Sequence, residues 1–263
     1  MATLSYHEQK DIENIKKLRE LQKELPSFCS DFFRGIETST STRTRIAYAY
    51  DLKIFFQFLK TANPGTFNNP AHTLTPADLE KLTVTDLEEY IDYLKCHPGE
   101  TSDDIVNTER GLMRKVSSLR SFYSYFFRNE QIEKNPAALV RMPKLHEKEI
   151  IRLEIDEVAK LLDEVEEGDK LTEKHKLYHE RTKVRDLAMM SLLLGTGIRV
   201  SECVGLNIND VDLDTCGARV YRKGGKESVI YFSDEVRDVL ENYLNEREMI
   251  DAVQGHEDAL FLS

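Results

Sequence analysis

A glycine turn set between an apolar run and an arginine constrains this chain more than any other stretch. Residues 185–194 are apolar on nearly every side after Asp186, with Leu187, Ala188, Met189, Met190, Leu192, Leu193 and Leu194. A helix of that composition belongs inside a domain. Gly195-Thr196-Gly197 supplies a C-terminal glycine, which places the helix end at Gly195. It also supplies a second residue free to take positive φ, so the chain can reverse, sending Ile198 to the core and Arg199 to a new helix start. Further on, residues 219–222 and 228–232 read as two strands around Gly224-Gly225, a pair suited to a tight hairpin turn. Lys223 and Lys226 flank that turn.

Fixed arginines and a mobile lysine suit phosphate chemistry. A guanidinium offers a rigid fork of donors to phosphate oxygens, and a lysine ammonium is a compact charge that can also release a proton. The phrase Gly195-Thr196-Gly197-Ile198-Arg199-Val200-Ser201-Glu202, followed by Arg222-Lys223-Gly224-Gly225-Lys226-Glu227, resembles two boxes of the tyrosine recombinases, the bacterial Xer-type branch in particular. The resemblance implies that Arg199 is the first catalytic arginine, Glu202 the acidic residue supporting it and Lys223 the catalytic lysine. Read without the family, Arg199 is a surface arginine at a helix start, Glu202 a solvated helix residue, and Lys226 competes with Lys223.

Length and composition agree with a globular protein. At 263 residues the chain can hold one large domain or two ordinary ones. Hydrophobic residues at 40% and charged residues at 32% exclude a disordered or membrane class. No apolar run approaches a membrane span and the first 25 residues are too charged for a signal peptide, so the protein is expected in the cytoplasm. Cys29, Cys96, Cys203 and Cys216 are far apart, without a CxxC pair, and read as thiols rather than a disulfide framework or zinc site. His175 and His179 are four apart but lack a third ligand, so no metal is expected.

A net charge of -11 disfavours a polyanion as partner, because affinity for DNA comes largely from lysine and arginine at phosphates. Its distribution reverses that conclusion. Residues 110–152 hold ten basic and four acidic side chains, an excess of six. A helix is expected from Asn107 to Arg128, with Leu112, Val116, Leu119, Tyr123 and Phe126 on one side and Arg110, Arg114, Ser117, Ser121 and Arg128 on the other. Solvated helix faces usually mix both signs, so an Arg/Ser face fits phosphate contacts. Arg110, Arg114, Lys115, Ser117, Ser121 and Arg128, with Arg141 and Lys144 after Asn135-Pro136 and Met142-Pro143, are the candidate DNA-binding residues.

The fold expected is mainly α with a small β-hairpin or sheet. The periodicity predicts helices over 29–36, 43–60, 107–128, 155–166 and 233–248, with a loop at 63–71. A short helix is expected after Thr75, and a capping box from Thr85 should open another to Lys95. The charged segment 167–183 reads as an insertion or a helix extension. A polar helix pattern with Ile12, Ile15, Leu18 and Leu21 reads as an N-terminal helical extension (1–25). By resemblance the rest becomes a helical, SAM-like core-binding domain (26–140), a basic linker (141–152) and the first part of a mixed α/β catalytic domain (153–263).

The resemblance further implies double-stranded DNA as partner, gripped between two domains, and a tetramer on two DNA sites for the full-length protein. It implies transesterification through a 3'-phosphotyrosine without metal, ATP or other cofactor. The family's HxxR box, further histidine or tryptophan and tyrosine nucleophile are expected beyond Ser263. No histidine here has arginine three residues later, and Tyr221, Tyr231 and Tyr243 fall on the hairpin or the next helix. These 263 residues alone are therefore expected not to cleave DNA. Two other readings remain, a non-catalytic DNA-binding regulator of recombination sites and a helical protein-interaction scaffold.

Overall fold

The computed structural model describes residues 6–68, 73–99, 103–146, 149, 151–222 and 226–262. Lys223, with Gly224 and Gly225, lies outside the described residues. The chain divides into two compact units. One spans Gln9–Glu149, and the other contains the described residues after Glu149 together with those before Gln9.

The first unit is helical: α1 (Tyr6–Gln22, which belongs to it from Gln9 on), α2 (Cys29–Gly35), α3 (Thr42–Ala62), α4 (Pro64–Phe67), α5 (Val84–Lys95) and α6 (Glu109–Arg128). Phe28, Phe32, Phe55, Phe56, Phe122 and Phe126 form its aromatic centre, with Phe32 and Phe122 edge to face at 5.2 Å. Such pairs add to the free energy of burying the rings themselves. Leu18, Leu21 and Leu25 are buried in this core, so the segment expected as an extension contributes to the packing of the unit. Helix starts are capped by short polar side chains: Ser41 accepts the Thr44 N–H, and Thr108 accepts the Gly111 N–H at 3.2 Å.

Three local expectations shift. The capping box of α5 is built on Thr83 and Asp86, not on Thr85, because the Asp86 carboxylate reaches back to the Thr83 N–H at 2.7 Å. The expected loop at 63–71 begins with the single turn α4, which buries Phe67. After Thr75 the short helix is a 3₁₀ turn, Pro76–Lys81. Between α5 and α6, β1 (Cys96–Pro98) and β2 (Asp104–Val106) pair antiparallel, a ribbon too short to leave a period-2 signal.

The second unit contains α7 (Ile155–Glu167), α8 (Glu173–Thr196), α9 (Val200–Cys203), β3 (Val211–Asp212), β4 (Gly217–Arg222), β5 (Lys226–Tyr231) and α10 (Asp234–Arg247). The three strands form one antiparallel sheet in the order β3-β4-β5, and Arg222 pairs with Lys226 across the expected hairpin. Ala188, Leu192, Ile198, Cys203, Val220, Leu240, Tyr243 and Leu260 form the core. Thus the fold is mainly α with small antiparallel sheets, as expected.

Helix α8 differs from expectation at both ends. It starts at Glu173, so the charged segment is in part a helix extension, and it runs one residue past Gly195 to Thr196. Gly197 ends it, with φ +66 and its N–H donated to the Leu193 carbonyl at 2.9 Å. Gly195 instead lies where α8 approaches α10, since a Cβ there would sit 2.9 Å from Val236 Cγ2. The helix is also less enclosed than its sequence suggests: Ala188, Ser191 and Leu192 are buried, while Leu194 is exposed. Among the described residues no helix is long and apolar enough to cross a membrane.

Candidate functional site

The glycine turn presents Arg199 as the first residue before α9. Its side chain is 67% exposed, yet one end is fixed: Nη1 donates to Glu202 Oε1 at 2.7 Å. The other Glu202 oxygen accepts the Arg199 backbone N–H at 3.0 Å. Glu202 is 5% exposed, so a buried carboxylate grips both the backbone and the guanidinium of one residue. Burial alone would raise the Glu202 pKa. The hydrogen bonds from Arg199 and the charges of Arg199 and Arg222 outweigh it and hold the carboxyl below its ordinary range.

Arg222 was not singled out from the sequence as a site residue. It ends β4, close enough to Glu202 to act on its charge, and immediately precedes Lys223. Its position as the last residue of a strand entering the lysine turn was the available signal. Arg199, Glu202 and Arg222 thus make one charged cluster built from α9 and the sheet. Tyr221 and Tyr231 lie exposed on the sheet, while Tyr243 is buried with its hydroxyl accepting the Leu262 N–H at 3.0 Å. Arg247, also buried, donates to the carbonyls of Glu257, Ala259 and Leu260 and thereby ties 257–260 to α10.

In the helical unit, α6 carries the basic face. Arg110, Arg114 and Arg128 are exposed, as are Arg141 and Lys144 after the helix, while Ser117 and Ser121 are half-buried. Lys115 is a correction: only 8% of it is exposed, and its Nζ donates to Asn107 Oδ1 at 2.7 Å. Burial lowers its pKa against the opposing pull of Asp51. An ammonium so enclosed braces the start of α6 and is absent from the outer face. Ser117 gives its hydroxyl proton to the Met113 carbonyl at 2.8 Å, within its own helix.

Arg120 donates to the carbonyls of Ala137, Ala138 and Val140, which anchors the chain just ahead of Arg141. A little further on, His146 donates its backbone N–H to Glu109 at 2.9 Å, at the first turn of α6. Neither tie is legible from local pattern, because both join residues distant along the chain. Among the described residues no group of histidine, cysteine and carboxylate side chains is placed to hold a metal ion. His179 lies with Nε2 2.8 Å from the Val165 carbonyl.

The phage integrase family pattern matches residues 151–263, the part that carries Arg199, Glu202 and Arg222. The tyrosine recombinase XerC of Caldanaerobacter subterraneus subsp. tengcongensis is 32% identical over 246 residues, covering 90% of this chain and 63% of that protein. The tyrosine recombinase XerS of Streptococcus uberis is 30% identical over 272 residues, covering 95% of this chain and 75% of its own. The chain belongs to the tyrosine recombinase family.

As a member of the tyrosine recombinases it spans 63% of the Caldanaerobacter relative's length. Its fold is also that of solved recombinases. It matches the XerH site-specific recombinase in a post-cleavage complex with palindromic difH substrate at a TM-score of 0.55 and 17% identity, over 84% of this chain and 56% of that one. A lambda integrase dimer bound to a COC' core site gives 0.56 and 15%, over 93% of this chain and 60% of that one.

Proposed function

We propose that this chain is the DNA-binding and arginine-bearing part of a site-specific DNA recombinase that breaks and rejoins strands without metal, ATP or other cofactor. The observation that carries the reading is the grip of buried Glu202 on Arg199 beside Arg222, inside the family-matched region. An arginine fixed through Nη1 keeps the rest of its fork for a phosphate, and a fixed donor loses little freedom when charge develops on that phosphate. Arg199 stabilises the phosphorane-like transition state. Glu202 sets its angle.

In the reaction proposed, a tyrosine hydroxyl attacks a DNA phosphorus, a 3'-phosphotyrosine bond forms and the bond to the 5'-oxygen breaks. Lys223 gives its proton to that departing oxygen as general acid. The attacking tyrosine is assigned to none of the 263 residues: Tyr221 and Tyr231 are strand residues of the hairpin, Tyr243 is enclosed, and no histidine has an arginine three positions later. These residues alone are accordingly proposed to bind DNA without cleaving it, since positioning groups cannot replace the nucleophile.

Duplex DNA is bound by Arg110, Arg114 and Arg128 on α6, with Ser121 beside them, and by Arg141 and Lys144 in the basic linker. The two units close on the duplex as a clamp, and the complete enzyme works as a tetramer on two sites. XerH and lambda integrase are seen bound to DNA, which supports duplex DNA as the partner here. Titrating labelled duplex DNA against the chain at increasing salt tests the reading. Affinity should fall steeply with salt, by the slope expected of several phosphate contacts. No measurable affinity at low salt overturns it.

A further inference from the structure

Among the described residues, Asp51 on α3 is the most deeply placed carboxylate of the helical unit, with 2% of its side chain exposed. Its Oδ2 accepts from Arg114 Nη1 at 2.5 Å, across the α3–α6 interface. The same Nη1 is 3.4 Å from the Ala47 carbonyl, also on α3. Both hydrogens of Nη1 are thus committed. Nε and Nη2 have no partner among the described residues, and the Arg114 side chain remains 45% exposed. Nε–H and one Nη2–H are parallel, the edge with which a guanidinium meets a phosphate through two hydrogen bonds.

We propose that Asp51 is a positioning residue, which with the Ala47 carbonyl fixes Arg114 as a preset fork for one DNA backbone phosphate. The inference rests on the DNA-binding reading above and deepens it, because it separates Arg114 from Arg110 and Arg128. Among the described residues Arg110 has no partner, and Arg128 is bonded only to the Ser124 carbonyl of its own helix. A fork already held in place gives up less side-chain freedom on meeting its phosphate than a solvated arginine does.

Burying Asp51 is unfavourable, and its Oδ1 has no hydrogen-bond partner. Burial pushes its pKa up to about 6, against the pull of Arg114 and Lys115. The groups facing it are Arg114 and Lys115 from α6 and Tyr90 from α5, whose hydroxyl donates to the Asp51 carbonyl at 3.4 Å. A neutral residue would sit there at lower cost. The charge has a use if it holds Arg114.

The experiment is a double-mutant cycle on the 263-residue chain, read by binding of labelled mixed-sequence duplex DNA near neutral pH and low salt. Asp51→Asn should weaken binding by about fivefold, the effect of one impaired charge-assisted hydrogen bond, and should have no effect in an Arg114→Gln background. The parent's advantage over Asp51→Asn should vanish below about pH 6, where Asp51 becomes neutral. Tighter or unchanged binding by Asp51→Asn overturns the proposal, since Asp51 would then merely compete with phosphate. Equal losses in both backgrounds also overturn it, as those would report packing. If Asp51→Asn does not fold, Arg114→Lys decides: it keeps the charge, loses the fork and should bind as weakly as Arg114→Gln. Parental affinity in Arg114→Lys refutes the fork. Absence of DNA binding by the parent defeats the DNA reading and this assignment together, whereas binding with a flat cycle defeats this assignment alone.

Discussion

At Glu202, burial and hydrogen bonding oppose each other. A carboxylate out of water should take up a proton more easily, yet the N–H and guanidinium of Arg199 with the charge of Arg222 keep it ionised below its ordinary range. A group whose folded pKa is lowered contributes stability that is present above its unfolded value and lost as pH falls through the folded one. Glu202→Gln should therefore destabilise the second unit at neutral pH by about 1–2 kcal/mol. The gap to the parent should close in thermal melts taken below the ordinary glutamate range. Asp51 runs the other way, because its pKa is raised to about 6. Its ionisation weakens the fold as pH rises through that value, so the parent should gain stability between neutral and about pH 5, and Asp51→Asn should lack that gain. Melts of the two proteins across that window check the sign.

Elements were legible where one local rule dominates. The α6 stripe of Val116, Leu119, Tyr123 and Phe126 follows helical periodicity and is buried as a face. The same wheel puts Lys115 beside the outer face because it cannot show that Asn107, eight residues earlier, meets its ammonium. At the end of α8 two glycines competed, and sequence favoured the first. The structure chose Gly197, the one at positive φ, because Gly195 is needed where α10 crosses. The two glycines should accordingly respond differently to alanine. At Gly197 a Cβ meets nothing within 4 Å, so Gly197→Ala should cost about 1 kcal/mol of backbone strain. At Gly195, a Cβ would sit 2.9 Å from a Val236 methyl and force that side chain or its helix to give way, so the loss should depend on Val236 and shrink in a Gly195→Ala/Val236→Ala pair. Chemical denaturation of the single and paired variants measures both.

For the whole molecule, the short motif around Arg199 is sufficient to indicate the family, and the recombinase relatives match over most of the chain. The motif could not reveal Arg222 acting on Glu202, because their proximity depends on β4 folding back beside α9. Nor could composition alone indicate a DNA-binding protein, given a net charge of -11. On the proposed DNA-binding reading, the excess of positive charge between Arg110 and Arg152 supports binding while the net negative remainder of the chain opposes it. Binding should be weak at physiological salt and strengthen sharply as salt is lowered. Replacing Arg110, Arg128, Arg141 and Lys144 together by glutamine should reduce the salt slope by about four contacts' worth, with the fold unchanged by circular dichroism. The most direct test of the central claim is this salt dependence of duplex binding, measured for the parent and the fourfold variant. The account predicts a steep parental slope and a much shallower one for the variant. Equal slopes, or no parental binding at low salt, would contradict it.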